Sequence, residues 1–124
     1  MPMPRLVAAV AVLVLSTPAL SGCGDSDSQT ADPSELPTKV VEVAINGSDT
    51  DPNGEHLDVS VGQRIELEVS ADQPGEIHVH ANPQQEFEYR TGSSTFELRP
   101  IQAPGQVDVE SHTLDKLLFT LVAR

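Results

Sequence analysis

An all-β sandwich of antiparallel strands is the fold this sequence predicts, and three observations carry the prediction. From Lys39 onward, apolar residues recur at every second position in short runs, the spacing of strands that bury one face. Gly, Pro, Asn and Asp interrupt those runs at close intervals, as turns require. No stretch of the region carries the i, i+3, i+4 spacing of an amphipathic helix. About seven to eight strands result, within one domain spanning 39–124 of the 124 residues.

The segment before that domain has a different character. MPMPRLVAAVAVLVLSTPALSGC places Arg5 ahead of an unbroken apolar run from Leu6 to Leu15, followed by small residues. This is the layout of a secretory signal peptide, and the run is too short for a membrane-spanning helix. Leu20-Ser21-Gly22-Cys23 resembles the bacterial lipobox, which implies cleavage after residue 22 and palmitate-type acyl chains on Cys23. The expected product is anchored to the cell membrane through lipid, on its extracytoplasmic face, without spanning it. A lone cysteine in an exported chain otherwise lacks an explanation. Residues 24–38, GDSDSQTADPSELPT, hold a single large aliphatic, Leu36, and read as a flexible tether reaching about 20 Å.

The strands follow in order. KVVEVAIN turns Val41, Val43 and Ile45 to one face, and SDTDPNGE then reads as a solvated loop without the spacing of an E-F hand. HLDVSVGQRIELEVSA reads as a hairpin: Leu57, Val59 and Val61 alternate, Gly62-Gln63 turns, and Ile65, Leu67 and Val69 alternate back. EIHVHA, EFEYR, STFELRP, GQVDVES and LLFTLVA complete the set. Phe87, Tyr89 and Phe96 fall on alternating positions and are expected in the core. Ser93-Ser94-Thr95 has no base near it in sequence and reads as a turn, not a nucleophile.

Two of the four histidines stand two residues apart in Glu76-Ile77-His78-Val79-His80. If Ile77 and Val79 face the core, His78 and His80 point outward together, with β-carbons about 6.6 Å apart. Two imidazoles at that distance can converge on one ion with bonds of about 2.0–2.1 Å. Further ligands would come from GQVDVESH, where a regular strand with Val107 and Val109 inward displays Glu110 and His112 outward. The same four residues also make sense as polar groups on a solvated face. His56, which opens a strand after a loop, is read as solvated.

The run from VSVGQRIELEV through PGEIHVHA to APGQVDVESH and a closing apolar strand resembles a cupredoxin-like domain, a Greek-key β-sandwich. In that resemblance Pro104-Gly105 matches the turn before the ligand strand, and Ser111 stands where a blue copper protein has its cysteine. Glu110 and His112 stand where multicopper oxidases have H-x-H, and His78-Val79-His80 matches their first pair, with Ala81 in place of a glycine. Met1 and Met3 lie in the leader and Cys23 takes the lipid, so neither thiolate nor thioether is left to the domain. A blue-copper electron carrier is therefore not expected, and an oxidase cluster cannot be completed within one domain.

What the sequence supports is a non-catalytic binding module taking copper or zinc through His78, His80, His112 and Glu110. The alternative is a metal-free interaction or structural module of the cell envelope that contacts another envelope protein. No nucleophile–base set points to an enzyme. With 19 acidic residues against seven basic ones, the surface favours cations or basic patches and disfavours nucleic acid.

Overall fold

The computed structural model describes residues 32 and 35–124; the segment read as a leader, Cys23 and most of the segment read as a tether lie outside the described residues. The strands are β1 (Lys39–Asn46), β2 (Asp49–Asp51), β3 (Glu55–Val59), β4 (Ile65–Ala71), β5 (Gly75–Val79), β6 (Gln85–Tyr89), β7 (Gly92–Leu98), β8 (Gly105–Ser111) and β9 (Lys116–Ala123). They form two sheets, a four-stranded one in the order β2-β1-β4-β7 and a five-stranded one in the order β3-β9-β8-β5-β6. Between the sheets lies one core. Val41, Val43, Ile45, Ile65, Leu67 and Val69 enter it from the first sheet, and Ile77, Val79, Val109, Phe119 and Leu121 enter from the second. Tyr89 joins them fully, while Phe87 and Phe96 pack against the core edge with ring centroids 5.2 Å apart.

The sandwich is the expected one, but its wiring differs in four respects. The expected loop after β1 contains β2, which folds back on β1 through Gly47 at φ 59. Ser93–Thr95 is not a turn: it lies inside β7, which pairs antiparallel with β4 along its length. Residues 55–71 do not form a hairpin, because β3 pairs with β9 in one sheet and β4 pairs with β1 and β7 in the other. Both runs do bury the same alternate positions, but alternation fixes the buried face and leaves the partner open. The corner between them crosses the core, held where Gly62, at φ 80, donates its N–H to Ile101 O at 2.8 Å and Val61 donates to Arg124 O at 3.2 Å.

The fourth difference concerns direction. β1–β4 and β3–β9 run parallel, so both sheets are mixed where antiparallel pairing was expected. Parallel partners need a long connection, and here the crossings between sheets provide it. One irregularity bears on the site: the β8–β9 register shifts between Val109 and Glu110, so Val109 opposes Phe119 but Glu110 opposes Leu117. The extra residue, Leu118, lies on β9 and is buried beside Phe119, while β8 keeps its alternation, with Val109 and Ser111 inward and Glu110 outward.

Candidate metal centre

Ile77 and Val79 are buried in the core, so period-two geometry turns Glu76 and His78 outward. β5 lies between β8 and β6, and His78 is directly opposite Glu110 on one side and Glu86 on the other. His80 follows the last strand residue, yet its N–H donates to Asp108 O at 2.9 Å, which carries the ladder on and keeps its ring outward. His112 lies just past β8, and its N–H donates to Glu76 O at 3.0 Å. His78, His80, Glu110 and His112 therefore share the outer face of the five-stranded sheet.

Within that face they divide into two groups. His78 is the sheltered ring, with its side chain 17% exposed. Its Nε2 contacts Glu76 Oε1 and lies 4.0 Å from Glu86 Oε1, while its Nδ1 lies 3.4 Å from the Gln84 amide nitrogen. His112 stacks on it, with ring centroids 4.6 Å apart and planes within 6° of parallel. His80 stands apart: its ring centroid is 6.3 Å from that of His78 with planes tilted by 54°, and its Nε2 meets Glu110 Oε2 at 3.0 Å.

Glu76, His78 and Glu86 each offer an atom that lies within 4.8 Å of the others, close enough to hold an ion after small side-chain movements. Glu76 and Glu86 did not emerge from the sequence as site residues. Glu76 was legible in principle, since it stands two residues before His78 and so on the same face. Glu86 was not, because its place opposite His78 depends on how residues 80–84 turn the chain. His56 is exposed on β3, which is separated from β5 by β9 and β8.

A thiolate copper centre does not fit the domain. No Cys or Met occurs among the described residues. Ser111 points inward and is fully buried, and its Oγ accepts the Leu114 N–H at 3.2 Å. Nearby, the Tyr89 hydroxyl is buried without a hydrogen-bond partner, against Gly75 and Thr113. The interior end of β8 thus carries hydroxyls and apolar groups, which are poor ligands for a soft copper ion.

No family model matches the chain, and no curated protein matches it in sequence. Solved structures do match. Sodium-dithionite-reduced auracyanin from the photosynthetic bacterium Roseiflexus castenholzii aligns at a TM-score of 0.53 and 13% identity, covering 69% of this chain and 97% of its own. A mutant of amicyanin in its reduced Cu(I) form at pH 4 aligns at 0.50 and 12% identity, covering 74% of this chain and 89% of its own. Another Cu(I) amicyanin mutant aligns at 0.50 and 13% identity, with the same coverage. At such identities the likeness establishes the fold, and the domain of this chain is a cupredoxin-like β-sandwich.

Proposed function

We propose that this cupredoxin-like domain is a non-catalytic, extracytoplasmic binding module, lipid-anchored through Cys23, that takes Cu(II) or Zn(II) on the outer face of its five-stranded sheet. The observation that carries the reading is the gathering of three imidazoles and three carboxylates, His78, His80, His112, Glu76, Glu86 and Glu110, around one stretch of β5. Imidazole and carboxylate together suit divalent copper or zinc, and the absence of sulfur ligands among the described residues argues against Cu(I). Structural neighbours described in a Cu(I) form make copper the first ion to test. When bound, the ion would be cargo or a buffered store.

The second reading, a metal-free face that contacts an envelope protein, is favoured by the His80–Glu110 pair, which is complete without an ion. One experiment separates the two. The full chain is expressed in a bacterial host, released from membranes by detergent, analysed for metals, and titrated with Cu(II) and Zn(II) beside a His78→Ala/His80→Ala variant. We expect release by detergent and not by salt, with binding weakened at least tenfold in the variant, about 1.4 kcal/mol. Equal, weak binding by both proteins would overturn the metal reading and leave the metal-free module.

A further inference from the structure

Two carboxylates converge on one nitrogen of His78. Its Nε2 contacts Glu76 Oε1, and Glu86 Oε1 is 4.0 Å away. A neutral imidazole has one N–H to give, so it can satisfy one of these oxygens through Nε2 and not both. Nδ1 is turned the other way, toward the Gln84 amide at 3.4 Å. A divalent cation in place of that single proton would satisfy both carboxylates and the ring lone pair at once, and its two charges would balance the two carboxylates.

The positions of the other two histidines argue that they are not co-ligands. A metal lies in the plane of the imidazole that binds it. The rings of His78 and His112 are stacked at 4.6 Å and nearly parallel, so an ion in the plane of one lies well outside the plane of the other. That offset is far greater than a metal–nitrogen bond of about 2.1 Å allows. His80 has its Nε2 on Glu110 at 3.0 Å, and reaching the ion would mean giving up that bond.

Resting on the metal-binding reading above, we propose that the chelating centre is Glu76, His78 and Glu86, that it takes one divalent first-row cation of the Zn(II) and Cu(II) class, and that His112 and His80 stand outside it. The ligand atoms lie within 4.8 Å of one another, whereas a tetrahedral ion spaces its ligands by roughly 3.4 Å given bonds near 2.1 Å. Glu86, 61% exposed, moves in from 4.0 Å, and the Glu76 carboxylate draws back from Nε2 to admit the ion. His112 covers the ring of His78 and limits its access to water. Three protein ligands leave one coordination position, which water fills.

Isothermal titration of the full chain in detergent with Zn(II), and pulsed electron paramagnetic resonance of its Cu(II) form, test the assignment. Glu76→Gln and Glu86→Gln are each expected to weaken Zn(II) binding by about tenfold or more, since even outer-shell changes commonly cost about 10–100-fold. His112→Ala, which uncovers the His78 ring, and His80→Ala are each expected to weaken binding less than Glu86→Gln does, and to leave the number of coordinated imidazoles at one. The Cu(II) spectra should show one coordinated imidazole. Thermal unfolding of each variant confirms that the face is still folded. Parent-like affinity in Glu86→Gln, or two or three coordinated imidazoles, would overturn the assignment while leaving metal binding on this face intact. No stoichiometric ion on the parent chain would instead overturn the metal reading itself.

Discussion

Gly75 and Tyr89 show how one residue can shape an end of the sandwich. They are opposite each other on β5 and β6, and Tyr89 lies in the core with its hydroxyl unpaired. A β-carbon on residue 75 would stand 2.3 Å from that hydroxyl oxygen, 2.6 Å from Tyr89 Cζ and 2.7 Å from Thr113 Oγ1. All three are side-chain atoms, two of them on a ring packed in the interior, so relief requires a shift of the strand or the ring. Gly75→Ala should therefore cost about 1–3 kcal/mol in denaturant unfolding. Gly75→Ala/Tyr89→Phe should recover part of the loss, because the closest contact is with the hydroxyl. The unpaired hydroxyl is itself a burden of about 1–3 kcal/mol, so Tyr89 is held by the packing of its ring. If Gly75→Ala proves neutral, the close approach described here is wrong.

At the scale of strands, the corner between β3 and β4 carries the largest departure from expectation. Gly62 sits there at φ 80 and donates to Ile101 O, joining the corner to the β7–β8 loop. Gly62→Ala should lower the unfolding free energy by about 1–2 kcal/mol, measured by equilibrium denaturation, since a side chain is strained in the left-handed region. No loss would mean that the corner relaxes freely. The same corner explains what the sequence could and could not reveal. Alternation correctly placed Leu57, Val59, Ile65, Leu67 and Val69 along buried faces, and it correctly turned His78 outward. It says nothing about which strand lies alongside, so β3 and β4 looked like neighbours when they are in different sheets. The site follows the same division. The outward facing of His78 and Glu110 is local and was legible, whereas Glu86 opposite His78 and His112 stacked on it depend on pairing between distant segments. The bulge has no signature in the Leu117-Leu118-Phe119 run, where every residue is apolar and either face suits it.

Across the molecule, acidic charge is gathered without compensation on the four-stranded sheet. Its outward positions include Glu42, Asp51, Glu66, Glu68 and Glu97, with no lysine or arginine among the outward residues of β1, β2, β4 and β7. Two of the pairings set like charges side by side, Glu42 with Glu68 and Glu66 with Glu97. Directly opposed like charges destabilise a sheet, and mobile ions screen them. The unfolding midpoint should thus rise as sodium chloride is increased from low ionic strength to about 0.3 M, where the Debye length is well under 10 Å. Glu68→Lys should stabilise the domain by about 0.5 kcal/mol and flatten that salt response. A midpoint that falls with salt would contradict this account. The two outer faces also differ in their ionisable groups: one carries carboxylates without imidazoles, while the other combines the two.

The parallel pairing of β3 with β9 has a consequence in time. β5 with β6 and β8 with β9 are each joined by a short connection and can meet early, but β3 has no strand partner other than β9, far along the chain. Loop-closure entropy must be met before the first hydrogen bond between them can form. The sheet therefore nucleates at its local hairpins and closes late at β3. Until then one edge of β9, Leu118 to Ala123, stands open with its apolar residues. During that interval the chain is most exposed to pairing with its own copies.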